Sequence, residues 1–207
     1  MKIWRWLCVL LLFAIFTLIC ESNRIQLQTD QMQQSHTQIL SEAPEKIKPH
    51  KSHASTSKPF MPTHLIIPAI HVSTKIKPVG VLADGQMDVP QSTDLVGILY
   101  PGVLAGAKGN LVMDGHVDSY TGPAVLFELK KLKPRDIIIV RDNMDHQLTY
   151  RVESVESFIT SEAPIERIFG ETDETRLNVI TCTGAYSRKK KEHQKRLIVF
   201  AKLDGDR

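Results

Sequence analysis

One thiol stands apart from the rest of the sequence. Cys8 and Cys20 fall within an apolar N-terminal run, so Cys182 is the only cysteine in everything that follows. It has no intramolecular disulfide partner there, which leaves two readings: a small hydrophobe packed at the end of an apolar strand, or a nucleophile. In Thr181-Cys182-Thr183-Gly184 the strand gives way to small residues, leaving room for a substrate backbone to approach. A cysteine nucleophile works as its thiolate and needs a general acid–base nearby. His116 is the candidate. It follows the run "NLVMDG" and is flanked by Gly115 and by Asp118-Ser119-Tyr120, so it too lies just beyond an apolar strand. A solvent-facing loop histidine is the plain alternative. An arginine would complete the set: Arg188 lies six residues after Cys182, and Arg196 fourteen after it, at the start of the last apolar run. The rest of the basic stretch, Lys189, Lys190, Lys191 and Lys195, reads as a solvated loop. Thiolate, imidazole and guanidinium together suit acyl transfer: attack on a carbonyl, proton transfer to and from an amine, and hydrogen bonding to the oxyanion.

Side chains so far apart in sequence meet only if strand ends converge on one rim, and the chain from Met61 onward supplies strands. "HLIIPAI" (64–70) opens the domain, with Pro68 marking an edge or a bulge. "NLVMDG" (110–115), "DIIIV" (136–140) and "RLNVITC" (176–182) are continuous apolar runs of the kind buried on both faces. "QLTYRVESV" (147–155) alternates Leu148, Tyr150 and Val152 with polar neighbours, a half-exposed strand, and "RLIVFAKL" (196–203) reads as another central strand. Two short helices are expected, in "AVLFELKK" after Gly122-Pro123 and in "APIERIF", which opens with Pro164. The fold class is all-β with short helices, a small mixed barrel or sandwich.

Composition narrows the function. The 207 residues are 42% apolar and 24% charged, which is ordinary for a globular protein. The net charge is +3, and Lys2 and Arg5 supply two of those charges, too little for a nucleic-acid binder. No Gly-rich phosphate loop, His-Glu-x-x-His, Cys-x-x-Cys or acidic calcium cluster occurs, so neither metal nor cofactor is expected. From Ile3 to Cys20 only Arg5 and Thr17 interrupt the apolar run, and as a helix it would span ~27 Å. Lys2 and Arg5 precede it, Trp4 and Trp6 suit the headgroup region, and no small-residue cleavage site precedes Cys20. Residues 1–20 are therefore expected to be an uncleaved transmembrane signal anchor with its N-terminus inside, a single pass in the cell membrane. Residues 21–60, rich in Gln, Lys, Ser and Pro, read as a flexible tether. Residues 61–207 form the extracytoplasmic domain.

Six segments in this order, "LIIPAIHVSTKIKPVG", "DGQMDVP", "GILYPG", "GNLVMDGHVDSYTGPAVLFELKKLKPRDIIIV", "LNVITCTG" and "KRLIVFAKL", resemble the sortases, the cysteine transpeptidases of Gram-positive cell walls. They cover about residues 63 to 203, and "GHVDSYTGPAVLFELKKLKP" most resembles class F. The resemblance implies an eight-stranded sortase β-barrel with His116, Cys182 and Arg196 at the catalytic positions. It also implies cleavage of an LPxTG-like sorting signal on surface proteins through a thioacyl intermediate, with transfer to a peptidoglycan precursor or cross-bridge amine. Arg188 matches an arginine in the loop of class F, so the choice between Arg188 and Arg196 stays open, with Arg196 preferred. Thr183-Gly184 stands where many class F members have Gly-Gly. Thr181 and Thr183 are candidate substrate contacts, and Asp118 is a candidate to orient His116. Two other readings compete: a different extracytoplasmic cysteine hydrolase, separated by whether a supplied amine is acylated, and a non-catalytic membrane-tethered binding domain, separated by thiol reactivity.

Overall fold

Short runs of branched and aromatic residues, divided by turn residues, become strands because a pleated surface suits such side chains. The computed structural model describes residues 58–189 and 192–206, all within one compact unit, His53–Arg207. Its strands are β1 (His64–Ile67), β2 (Val72–Val79), β3 (Val96–Leu99), β4 (Gly109–Gly115), β5 (Asp118–Ser119), β6 (Gly122–Pro123), β7 (Ile137–Arg141), β8 (Gln147–Ile159), β9 (Thr175–Ser187) and β10 (Glu192–Leu203). Among the described residues one α-helix, α1 (Ile165–Phe169), and three 3₁₀ turns (Pro68–Ile70, Leu129–Lys131, Thr160–Glu162) connect them.

Eight strands close into a barrel in the order β1-β2-β3-β4-β9-β10-β8-β7, with β7 returning antiparallel to β1. β5 and β6 form a separate small hairpin. Two pairs are parallel, β2 with β3 and β4 with β9. The expected all-β barrel with short helices is present. The anchor expected at residues 1–20 lies outside the described residues, as does all but the end of the tether. Among the described residues no helix is long and apolar enough to cross a membrane.

Side-chain alternation divides each strand between two apolar layers. Leu111 and Met113 of β4, Leu177 and Val179 of β9, and Leu197 and Val199 of β10 fill the barrel. Their neighbours Val112, Ile198 and Phe200 face outward and pack with Ile168 of α1. β4 is buried along all seven residues because it is covered on both sides, which is why it reads as a continuous apolar run.

Several expectations change. β7 alternates half-buried and buried residues, so "DIIIV" is covered fully on one face only. Pro68 does not mark a bulge; it ends β1 by opening a 3₁₀ turn, where its missing N–H costs nothing. "AVLFELKK" is not an α-helix. Leu126, Leu129 and Leu132 are buried at a spacing of three, and Phe127, Leu129, Lys131 and Leu132 each donate to the carbonyl three residues back. That spacing matches successive tight turns rather than the 3.6-residue period of an α-helix.

Candidate active site

β9 and β10 pair antiparallel with Cys182 directly opposite Arg196. Directly opposed residues share one face, and the parity of β9 puts Thr181 inside the barrel and Cys182 outside it. The thiol and the guanidinium are thus neighbours on the outer wall, half-buried rather than exposed. Cys182 lies within the β9–β10 ladder, since β9 continues to Ser187 beyond the small residues. Gly184 takes φ +78°, a conformation that glycine adopts without strain.

Arg196 is held before any ligand arrives. Its Nη1 donates to Thr160 Oγ1 at 3.2 Å and to the His193 carbonyl at 3.1 Å, and Glu192 Oε2 lies 3.9 Å from Nη2. Thr160 in turn donates to the Gln194 carbonyl at 3.2 Å. Burial pushes the Cys182 thiol above its ordinary pKa; Arg196 opposes this, while Asp118, Asp114 and Glu192 add to it. The guanidinium is therefore the group that favours the thiolate.

Two hollows meet at Cys182. The larger, about 270 Å³, runs along the outer face of β4, β9 and β10 and has Cys182 and Arg196 at one end. Its walls are α1 (Ile165, Ile168, Phe169) and the β2–β3 connection (Gly85, Gln86, Met87, Val89). An α-helix of five residues has no stability of its own. Here Asn178 Nδ2 donates to the Ile168 carbonyl and to Asn110 Oδ1, both at 2.9 Å, and Asn110 Nδ2 donates to the Gly170 carbonyl at 2.8 Å. Arg167 lies 3.6 Å from the Phe200 ring centroid and pairs with Glu156 at 2.9 Å. Two buried asparagines and one cation–π contact thus fix the groove wall. The smaller hollow, about 160 Å³, lies beside Cys182 and is more polar, with Asp118, Lys130, Thr183, Gly184 and His193 among its lining residues.

His116 follows the last residue of β4, as expected, and is half-buried. Its Nε2 lies 2.7 Å from the Pro90 carbonyl oxygen; a carbonyl only accepts, so Nε2 carries the hydrogen and Nδ1 is the other proton-exchanging nitrogen. His116 lines neither hollow. Asp118 contacts a different histidine: its Oδ1 lies 3.2 Å from His193 Nε2, while His193 Nδ1 lies 3.0 Å from the Gly184 carbonyl. The orientation of His116 thus comes from Pro90 instead of Asp118. Thr181 donates its hydroxyl to the Gly115 carbonyl at 2.7 Å and is buried, so it ties β9 to the residue before His116. Thr183 borders the smaller hollow. Arg188 is exposed in the β9–β10 turn and borders neither hollow, whereas Arg196 faces Cys182. Asp114, His193 and Pro90 are not singled out by the sequence, because strand register brings the first two to the site and the path of the β2–β3 connection brings the third. Among the described residues no cluster of three or more His, Cys, Asp or Glu side chains could hold a metal ion.

A closed barrel with a thiol and a guanidinium opposed on its outer wall, where an apolar groove meets a polar hollow, is suited to cysteine-dependent acyl transfer. The sortase domain model matches residues 65–204, well over half of the chain. The chain belongs to the sortase family and is a cysteine transpeptidase. Among solved structures it is similar to sortase C-1 from Actinomyces oris (21% identity, TM-score 0.51, covering 68% of this chain and 72% of that one). It is also similar to a lid mutant of sortase A from Corynebacterium diphtheriae (19% identity, TM-score 0.54, covering 71% and 72%). A Clostridium perfringens sortase D5 transpeptidase matches at 21% identity and TM-score 0.51, covering 72% and 82%. At these identities the likeness is one of fold. No curated protein matches the chain.

Proposed function

We propose that this sortase cleaves an LPxTG-like sorting signal and joins the acyl part to a cell-wall amine, with Cys182, His116 and Arg196 as its catalytic residues. The carrying observation is that Cys182 borders both an apolar groove and a more polar hollow, an arrangement suited to a thiol that is acylated by one substrate and then deacylated by a second. The Cys182 thiolate adds to the peptide carbonyl, and the oxyanion that forms accepts hydrogen bonds from Arg196. His116 delivers a proton to the departing amine nitrogen as the C–N bond breaks, leaving a thioester on Cys182. An incoming primary amine, entering by way of the polar hollow, attacks the thioester and gives its proton to His116. The new amide leaves and the thiolate is released. Thr183 contributes to the amine side, and the Asp118 carboxylate attracts an ammonium group there. Arg188, in the exposed turn, serves at most an outer contact with substrate.

The GHVDSYTGPAVLFELKKLKP stretch supports a class F assignment within the family. The apolar run at residues 3–20 supports a single-pass anchor that leaves the catalytic domain outside the cell membrane. Surface proteins bearing a sorting signal and a peptidoglycan precursor or cross-bridge amine are then the two partners. The decisive experiment incubates wild type and Cys182→Ala with fluorogenic sorting peptides, with and without a primary amine, and reads products by mass spectrometry. Wild type should give an acyl-enzyme mass on Cys182 and an amide product that depends on added amine, and Cys182→Ala should give neither. Full cleavage by the alanine variant would remove the reading. Cleavage without any amide product would make the protein a hydrolase.

A further inference from the structure

Asp114 is the one acidic side chain in the wall of an otherwise largely apolar groove, on the outer face of β4. It is only 7% exposed, and its Oδ1 is buried with no hydrogen-bond partner. In the strand ladders it stands beside Ile180 on β9 and Gly97 on β3, with Cys182 two residues further along β9. One strand repeat, ~7 Å, therefore separates its row from that of the thiol. Gly97 makes the placement possible: a Cβ there would sit 2.5 Å from Asp114 Oδ1 and 3.0 Å from Pro90 and Val79 side-chain atoms.

A carboxyl buried without a donor is costly unless something supplies one. Burial first, and then the charge of Asp88, raise the Asp114 pKa to about 7. Nothing in the groove wall nearby offsets this. The β2–β3 connection from Gly80 to Leu95 carries Asp84, Asp88 and Asp94 and no lysine or arginine. The cation of the groove, Arg196, is engaged at the Cys182 end by Thr160 and the His193 carbonyl. A ligand cation on the groove side of this carboxyl would offset both the cost of its burial and the repulsion from Asp88.

We infer that Asp114 is a specificity-determining residue that receives a basic side chain, lysine or arginine, from the sorting peptide upstream of the cleaved bond. The inference rests on the groove being the acyl-donor site. It gives the groove a charge polarity, with Arg196 at the reacting carbonyl and Asp114 one strand repeat away facing the peptide cation.

Binding is measured on Cys182→Ala protein, where no turnover interferes, by fluorescence polarisation. Peptides carry lysine or the similarly long but neutral methionine at each of the three positions preceding the threonine of the Thr-Gly bond in turn. At one position lysine should bind at least about tenfold more tightly than methionine, the effect of one buried charge-assisted pair. In Asp114→Asn/Cys182→Ala, which keeps the side-chain shape, that preference should collapse. In Asp88→Asn/Cys182→Ala it should weaken only in part. Equal binding of lysine and methionine peptides at all three positions, or a preference that survives Asp114→Asn, overturns the inference. Acylation of wild-type Cys182 by the same peptides is followed by mass spectrometry. Acylation without a lysine preference removes this inference alone; failure of every peptide to bind and to acylate removes the acyl-donor reading with it.

Discussion

The chemistry of Cys182 is set by opposing charges around a half-buried thiol. Burial, Asp118, Asp114 and Glu192 keep the proton on sulfur, and Arg196 works against them. Because the thiolate is the reactive form, alkylation by iodoacetamide should still be accelerating with pH at 9. Arg196→Ala takes away the one favourable charge, so it should slow alkylation at pH 8, and Asp118→Asn should speed it. In transfer assays Arg196→Ala should lower kcat/KM by ~10²–10³, the usual loss when an oxyanion donor is removed. Asp114 gives a second test at this scale. Its pKa of about 7 lies above the usual 3.8, so folding favours the protonated acid. That contribution is complete below pH 3.8 and is lost as pH rises toward 7. Asp114→Asn should therefore gain stability over wild type between pH 4 and 7, by up to ~4 kcal/mol, with a constant gap above that. Chemical denaturation at several pH values measures it. Cys182, His116 and Arg196 are nominated by residue type and by position at the edges of apolar runs. Asp114 was not, because an aspartate closing an apolar run reads as a strand terminus, and only the register with Gly97 and Ile180 reveals it as groove wall.

At the scale of elements, the groove depends on a helix too short to stand alone. α1 is joined to the sheet by Asn110, Asn178 and Arg167. Asn178→Ala removes both amide hydrogen bonds from a fully buried position, so unfolding stability should fall by ~1–3 kcal/mol. The groove wall loosens while Cys182 and Arg196 keep their ladder, so KM for the peptide should rise several-fold with kcat nearly unchanged. An equal fall in kcat would place Asn178 in the chemistry. The sequence showed the existence of α1 through Pro164, and showed most barrel strands through their apolar runs. It hid β2, which includes Lys75, Lys77 and Pro78 and buries only Thr74 and Ile76. It also disguised "AVLFELKK", where Leu126 and Leu129, followed by Leu132, resemble a helical stripe over so short a window.

The whole molecule is held by pairings that no local pattern contains. β4 and β9 run parallel with Gly109 opposite Thr175, and β1 closes on β7 with His64 opposite Arg141. These long-range registers set Cys182 opposite Arg196 and lay β4, which His116 follows, alongside β9, neighbours that residue types could suggest and only the closed barrel could provide. The other end of the barrel tests whether stability there is separable from function. Tyr150 is fully buried, and its hydroxyl accepts the Gly106 backbone N–H at 3.1 Å, near the start of β4 and ~20 Å along that strand from His116. Burial pushes its pKa up to about 12. The neutral phenol is favoured in the folded state, so its contribution is present below pH 10 and lost as pH rises to 12. Tyr150→Phe leaves the Gly106 N–H without its acceptor and should cost ~1–2 kcal/mol at pH 7. The same variant should lack the alkaline decline that wild type shows between pH 10 and 12, which approaches ~3 kcal/mol. Its kcat/KM at pH 7 should equal that of wild type, because neither Tyr150 nor Gly106 lines the hollows at Cys182. A loss of transfer activity matching the loss of stability would mean that the two ends of the barrel are coupled, and that the site depends on closure of the whole rather than on its own strands.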